Sequence, residues 1–221
     1  SGSSVSNRRY NHLMQQNPIR AVVFDLDGLM FNTEELYDEV GDVLLQRRGH
    51  RFSTQLKRRM MGRPGRVAFQ ILIDDHGLDA TVEQLQAESD VIFEDILPTR
   101  LAPMPGLAPL LDALEAASIP KAIATSSGRA FTEKVLAKFA YQPRFEFLLT
   151  AEDVVQGKPA PEIYLTAASR FGLPPAQLMV LEDSENGCRA GIAAGAATVA
   201  IPGPDNQHHD FDGVTLIADS L

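Results

Sequence analysis

Residues 21–28, AVVFDLDG, constrain the fold of this chain more than any other stretch. Apolar residues run directly into two acids, and a glycine follows. A continuous apolar run of this kind is typical of a strand buried on both faces, as in a parallel sheet. The acids then lie at the carboxyl end of the strand, where open α/β sheets bind their ligands.

Asp25 and Asp27 are two positions apart, so the period of a strand places their side chains on the same side. Two carboxylates this close repel each other unless a cation or a shared proton neutralises them. The pair therefore predicts a divalent metal site, with Asp25 free to act as a nucleophile. The alternative interpretation is an acidic turn after a strand, with no chemistry.

The composition limits the kinds of molecule that this chain is expected to bind. Hydrophobic residues make up 44% of the 221 residues, which is enough for a substantial core and argues against global disorder. The net charge of −9, with no basic run to offset it, argues against a nucleic-acid or membrane partner. An acidic protein can still bind an anionic ligand through a few local cations and a metal. The sequence leaves the oligomeric state open, with a monomer as one alternative.

The single cysteine, Cys188, cannot form an internal disulfide bond, which suits a reducing cytoplasm. We therefore expect a cytoplasmic protein, with Cys188 as a small core residue. No stretch approaches the roughly 20 apolar residues that span a bilayer.

The pattern along the chain predicts two domains. Residues 1–17 are polar and are predicted to form a disordered tail. Residues 33–98 contain helical patterns and no strand candidate, and they are predicted to form an inserted all-helical cap domain. The turn-rich segment 98–106 is interpreted as the return hinge. Residues 18–32 and 99–221 are then the core domain.

Strand and helix patterns alternate after residue 106. This alternation predicts an α/β fold whose core is a doubly wound parallel sheet. The predicted helices are 107–117, 129–140, 161–171 and 185–194, and the predicted strands are 19–27, 121–126, 145–150, 178–182, 198–201 and 214–217.

Two further polar clusters follow strand patterns. Ser126 and Ser127 precede a glycine and a helix, where N–H groups and the helix dipole favour an anion. Lys158 lies between a glycine and prolines, so a rigid loop presents its ammonium group, which suits a phosphate or a buried carboxylate. The alternatives are an ordinary serine N-cap and a solvated surface lysine.

The last cluster is Glu182-Asp183, at the end of another strand and before a helix. Neighbouring strand residues point in opposite directions, so one acid leads in metal binding and the other supports it. Carboxylate ligands indicate Mg²⁺, and no cysteine–histidine set exists to hold zinc. The alternative is a pair of acids that only stabilises the helix dipole.

All four clusters lie at the carboxyl ends of predicted parallel strands, so they can converge on one crevice. Two acidic pairs, a hydroxyl cradle and a lysine together describe a site for a phosphoryl group with Mg²⁺.

These clusters resemble the four motifs of the haloacid dehalogenase superfamily. Their order and spacing are similar to those of the β-phosphoglucomutase-like sugar-phosphate phosphatases, which have a small helical cap, and the match runs from about Ile19 to the C-terminus. The resemblance implies a Mg²⁺-dependent phosphatase that hydrolyses a small phosphorylated metabolite, a sugar or nucleoside phosphate, through an aspartyl-phosphate intermediate.

The resemblance also implies roles for the acids. Asp25 would be the nucleophile, and Asp27 the general acid for the leaving group and then the base for water. The carboxylate of Asp25 and the backbone carbonyl of Asp27 would bind Mg²⁺. Asp183 would be a third metal ligand, and Glu182 either a ligand or a support.

The same resemblance assigns Ser126, the Ser127 N–H group and Lys158 to the transferring phosphoryl oxygens. In the cap, Arg63 and Arg66 are candidates for contact with the substrate, although a solvated basic turn is the alternative.

Two positions depart from the subgroup pattern. Asn32 stands where an aspartate is common, which removes no catalytic group. Tyr37 stands where the mutase has a cap histidine, which favours a phosphatase over a hexose phosphate mutase. A phospho-accepting receiver domain and a catalytically silent binding protein are alternatives from other classes. The cap insertion argues against the receiver, and the intact acids argue against the silent protein.

Overall fold

The computed structural model describes residues 18–60, 65–204 and 206–221, so the predicted tail at 1–17 lies outside the described residues. Six strands form one sheet in the order β3-β2-β1-β4-β5-β6, and every neighbouring pair is parallel. The strands are β1 (Ala21–Phe24), β2 (Lys121–Ala124), β3 (Leu148–Leu149), β4 (Leu178–Glu182), β5 (Ala197–Ala200) and β6 (Leu216–Ile217). The predicted fold class is confirmed.

Helices connect the consecutive strands from β1 to β5, whereas the described residues between the parallel strands β5 and β6 contain no helix. The α-helices in the described ranges are α1 (Thr33–Gln46), α2 (Thr54–Met60), α3 (Gly65–His76), α4 (Val82–Arg100), α5 (Leu107–Ala116), α6 (Arg129–Lys138), α7 (Glu162–Phe171) and α8 (Glu185–Ala194). None of these helices combines the length and the apolar character that a membrane crossing requires.

The first strand is central and buried along its whole length, as its apolar sequence predicts. Its last residue, Phe24, is in register with Ile123 of β2 and with Leu181 of β4. These three strands therefore end at the same level of the sheet. The residues that follow them, beginning with Asp25 on β1, are brought to one edge by this register.

The chain divides into two compact units. One contains the sheet and comprises the described residues up to Phe31 and from Pro103 onward. The other, Asn32–Ala102, contains α1 to α4 and no strand in its described residues. Within this helical unit, α1 packs against α4, and α3 packs against both α2 and α4.

The helical unit contains a cavity of about 510 Å³. Its lining is apolar in part, with Leu44, Phe52 and Phe69, and it also includes the charged residues Asp38 and Lys57. The side chains of Lys57 and Asp38 form an ion pair.

Several boundaries differ from the predicted ones; the strands predicted at 19–27, 121–126 and 214–217, for example, are Ala21–Phe24, Lys121–Ala124 and Leu216–Ile217. The helix α4 continues through Pro98 to Arg100, so the first residues of the predicted hinge are helical. Pro98 lies in the last turn, where its missing N–H group affects a single hydrogen bond. The predicted strand at 145–150 is reduced to Leu148–Leu149, because this edge strand has only β2 as a neighbour.

Candidate active site

Asp25 lies directly after β1 and is 6% exposed. Its N–H group donates to the Leu181 carbonyl at 3.0 Å, which fixes the backbone at the end of the sheet. The chain then turns at Gly28, whose φ of 75° is in the left-handed region that favours glycine. This turn keeps Asp27 near the strand end, where its backbone bridges to Phe31.

Lys158 reaches the same strand end from the loop before α7. Its ammonium group donates to Asp25 Oδ1 at 2.5 Å, to Glu182 Oε1 at 2.7 Å and to the Ala124 carbonyl at 2.9 Å. Three acceptors match the three donors of an ammonium group. Because its side chain is only 5% exposed, Lys158 is not a solvated surface lysine.

Burial and the Lys158–carboxylate attraction shift the pKa values of this cluster in opposite directions. Burial raises the pKa of Asp25, the nearby Glu182 and Asp27 add to this increase, and the Lys158 ammonium opposes it. Burial by itself would lower the pKa of Lys158, but the carboxylates of Asp25 and Glu182 raise it above its ordinary value. Lys158 is therefore a fixed positive charge beside the candidate nucleophile.

Asp27 is held through one oxygen. Its Oδ2 accepts hydrogen bonds from the Ser127 hydroxyl at 2.6 Å and from the Thr125 hydroxyl at 3.2 Å. Thr125 Oγ1 in turn accepts from the Ser127 N–H group at 3.0 Å. Asp27 Oδ1 is buried and has no hydrogen-bond partner in the described part of the chain. Ser126, between these two hydroxyl residues, is exposed.

The neighbouring acids of the fourth cluster are both buried but have different partners. Glu182 Oε1 accepts from the Tyr164 hydroxyl at 2.7 Å, in addition to Lys158. Its Oε2 accepts from the Ser184 hydroxyl at 3.0 Å. Asp183 Oδ2 accepts from the Asn206 side chain at 2.7 Å.

Sequence reasoning missed Thr125, Tyr164 and Asn206. Thr125 belongs to the same run of hydroxyl residues as Ser126, so its proximity to the site was a usable signal. Tyr164 lies in a helix where it has the pattern of an ordinary core residue, and it is fully buried. Asn206 follows β5 in an irregular loop that matches no motif.

The carboxylates fit a divalent cation. Asp25, Glu182 and Asp183 each offer an oxygen atom, and these atoms lie within 4.8 Å of one another. The ammonium group of Lys158 pairs with two of these three buried acids, Asp25 and Glu182, and a divalent cation would balance the remaining negative charge. The unpartnered Asp27 oxygen adds a further buried acceptor nearby. Oxygen ligands of this kind suit Mg²⁺ or Ca²⁺.

The predicted cap residues are less well defined. Arg63 lies outside the described residues. Arg66 is exposed and pairs with Glu83 at 2.8 Å, so its role toward a substrate stays a prediction. Tyr37 stacks on Phe93 with ring centroids 4.7 Å apart, and both line the cavity of the helical unit.

Comparisons with known proteins agree on one family. A family model described as haloacid dehalogenase-like hydrolase matches residues 22–201. The chain is 34% identical to a "Probable pseudouridine-5'-phosphatase" of Drosophila melanogaster, over 90% of this chain and 88% of that protein. It is also 34% identical to (DL)-glycerol-3-phosphatase 2 of Arabidopsis thaliana, over 87% of this chain and 84% of the relative.

Among solved structures, the fold is similar to that of a hydrolase from Deinococcus radiodurans with bound phosphate and sodium. The TM-score is 0.78 and the identity is 27%, and the match covers 92% of each chain.

Proposed function

This chain belongs to the haloacid dehalogenase-like hydrolases, and on that premise we propose that it is a Mg²⁺-dependent phosphatase of small phosphorylated metabolites. One observation supports this proposal above the others: Asp25 Oδ1 lies 2.5 Å from the buried Lys158 ammonium, and Asp25 forms a cluster of three carboxylates with Glu182 and Asp183. A nucleophile, a fixed positive charge and a set of oxygen ligands are the groups that phosphoryl transfer needs.

In the first step, an Asp25 oxygen attacks the phosphorus, and the bond from phosphorus to the leaving oxygen breaks. Asp27 gives its proton to that oxygen, so the product leaves as an alcohol. In the second step, Asp27 takes a proton from water as the water attacks the aspartyl-phosphate. This releases inorganic phosphate and restores Asp25.

The contacts of Asp27 support its role. Two hydroxyl groups bind its Oδ2, so the carboxylate is held in one orientation. The other oxygen, Oδ1, has no partner in the described residues and is the atom through which we propose that protons pass.

Two sets of groups would stabilise the negative charge on the transferring phosphoryl group: protein donors, and the residues that would hold the cation. Lys158 supplies a positive charge next to the reacting Asp25 oxygen, and exposed Ser126 contributes a hydroxyl donor. The Asp25 and Asp183 carboxylates and the Asp27 carbonyl would hold the cation. When bound, a divalent cation stabilises negative charge on phosphoryl oxygens.

The helical unit is proposed to act as a cap domain that selects the substrate. Its cavity of about 510 Å³ combines aromatic, aliphatic and charged side chains, which suits a ligand with polar and apolar parts. The names of the two relatives support a nucleoside or polyol phosphate as the substrate class, and the resemblance in the sequence adds a sugar phosphate. We place this activity in the cytoplasm, in line with the single cysteine and the acidic composition.

The test is phosphate release from a panel of sugar, polyol and nucleoside phosphates, with Mg²⁺ and with a chelator. We expect release that requires the cation and that disappears in Asp25→Asn. Hydrolysis that persists in this variant would refute the mechanism. Conversion of one phosphate ester into an isomer, dependent on a bisphosphate primer, would identify a mutase instead.

A further inference from the structure

The adjacent acids Glu182 and Asp183 are held by different residues. We propose that Tyr164 commits Glu182 to holding Lys158, whereas Asn206 orients Asp183 toward the cation. Both are positioning residues, and their assignment rests on the proposed function of the site. On this account, two acids that are neighbours in the sequence hold two different positive charges, the Lys158 ammonium and the metal cation.

Glu182 has no capacity left for a further partner. Its Oε1 accepts from Lys158 and from Tyr164, both at 2.7 Å. Its Oε2 accepts from the Ser184 hydroxyl at 3.0 Å and from the Ser184 N–H group at 3.3 Å. A carboxylate offers about four lone-pair sites, and four donors occupy them. A cation could bind Glu182 only by displacing one of these donors.

Glu182 also has no room to turn. Gly187, in the first turn of α8, lies so close to it that a Cβ at this position would overlap the whole carboxylate. The hydroxyl of Ser184, which caps this helix, accepts from the Gly187 N–H group at 3.1 Å and donates to Glu182. The helix start therefore fixes the Glu182 carboxylate in the orientation that meets Lys158.

Asp183 accepts a hydrogen bond from a side chain that lies in a distant part of the sequence. The Asn206 amide donates to Asp183 Oδ2 at 2.7 Å and to its backbone carbonyl at 3.3 Å. Asn206 is itself 5% exposed, and its backbone is fixed by hydrogen bonds with Gly203 and His209. A rigid donor on one oxygen sets the orientation of the carboxylate before a cation arrives.

The geometry of a strand end explains why this division is possible. Glu182 is the last residue of β4 and Asp183 follows it, so their side chains point in different directions. Glu182 points toward Tyr164 of α7, whereas Asp183 meets the loop after β5. Cation affinity and the position of Lys158 should therefore respond to different substitutions.

A crossed binding experiment tests this division. The affinity of the protein for Mg²⁺ alone is measured by calorimetry, and then its affinity for inorganic phosphate is measured at saturating Mg²⁺. Asn206→Ala should weaken Mg²⁺ binding about tenfold and leave phosphate binding unchanged. Tyr164→Phe should leave Mg²⁺ binding unchanged and weaken phosphate binding roughly three- to tenfold, because Lys158 loses its support.

Two matched variants control for general effects. Gln207→Ala changes the exposed neighbour of Asn206, and Tyr141→Phe removes a hydroxyl from a ring that packs against Phe31 and Phe139. Both should bind Mg²⁺ and phosphate as the wild type does. Circular dichroism confirms that each variant is folded, and Asn206→Ser provides a second, polar substitution if Asn206→Ala unfolds.

The division is refuted if Asn206→Ala and Tyr164→Phe both weaken the binding of the same ligand. It is also refuted if neither variant changes the dissociation constant that it is expected to change. If the variants behave in this way while the wild type binds Mg²⁺ and phosphate and hydrolyses phosphate esters, the division alone is refuted. A wild-type protein that binds neither ligand would refute the proposed function and the division with it.

Discussion

A buried cluster of charges in the sheet-containing unit contrasts with partly exposed ion pairs in the helical unit. In the former, Asp25, Lys158 and Glu182 are almost inaccessible and are joined by hydrogen bonds of 2.5 and 2.7 Å. In the latter, ion pairs such as Arg48–Glu88, at 2.5 Å, keep more than a fifth of each side chain exposed. Buried charges are costly unless they are paired, so their presence marks the place where the molecule uses charge for chemistry.

The difference shows where function is encoded in each unit. In the sheet-containing unit, the acids at positions 25, 182 and 183 lie at strand ends and are positioned by strand register, whereas Lys158 reaches them from a loop. In the helical unit, the described residues are organised mainly by the packing of amphipathic helices around a cavity. A single substitution should therefore have large effects in the first unit and small effects in the second.

The largest contrast should come from neutralising one carboxylate in each unit. Asp25→Asn should reduce turnover on the order of 10⁴-fold or more, because the nucleophile is lost while the shape is kept. Asp75→Asn removes the partner of Arg59 at a partly exposed site and should leave turnover unchanged. Initial rates of phosphate release measure both. Equal losses in the two variants would contradict the contrast.

A second contrast removes one cation from each unit. Lys158→Met leaves buried carboxylates without their counter-charge and should lower the free energy of unfolding by about 3–5 kcal/mol. Arg48→Met breaks a partly exposed pair and should lower it by less than about 1 kcal/mol. Urea unfolding followed by circular dichroism compares them. A stable Lys158→Met protein would show that the buried ammonium is not needed to balance Asp25 and Glu182.

A third contrast adds one methyl group to a helical glycine in each unit. At Gly187 the methyl group would overlap the Glu182 carboxylate, so Gly187→Ala should destabilise the protein by about 1–3 kcal/mol. At Gly65 the nearest atom is Gln86 Oε1, at 3.4 Å, which is an ordinary contact. Gly65→Ala should therefore be neutral or slightly stabilising. Melting temperatures check both, and a neutral Gly187→Ala would refute the close packing against Glu182.

The smallest expected effect is a pH dependence in the helical unit. Hydrogen bonds from Arg48 lower the pKa of Glu88 from its ordinary value of 4.5. The folded state then binds a proton less readily than the unfolded state, so this stabilisation is present above about pH 4.5 and is lost at lower pH. The free energy of unfolding is measured from urea unfolding curves at several pH values. Its loss between pH 7 and acid pH should be smaller in Glu88→Gln than in the wild type, by less than about 1 kcal/mol. An unchanged acid dependence would contradict the pairing.

The sequence was sufficient for the parallel sheet and for the resemblance to the haloacid dehalogenase superfamily, and both are confirmed. The reason is local: the acids at 25 and 182 follow apolar strands, and the position of a strand end is predictable from its pattern. Tyr164 and Asn206 could not be predicted in the same way. Their importance arises from contacts across the fold, with Glu182 and Asp183, that no spacing in the sequence reveals.

The ends of the helices and strands were less predictable than their existence. The proline at position 98 indicated the start of the hinge, but helix α4 continues through it to Arg100 at the loss of one backbone hydrogen bond. The division into core and cap at particular residues stays a prediction, as do the roles of Arg63 and Arg66.

Covalent capture of the phosphoryl group on Asp25 tests the central claim most directly. Asp27→Asn lacks the base that activates water, but a phosphate donor whose leaving group needs no proton, such as an acyl phosphate, can still phosphorylate the nucleophile. After reaction of this variant with ³²P-labelled acetyl phosphate and acid quenching, the proposed mechanism predicts an acyl phosphate on the peptide that contains Asp25. Label that is absent from this peptide, while the wild type still releases phosphate, would contradict the mechanism.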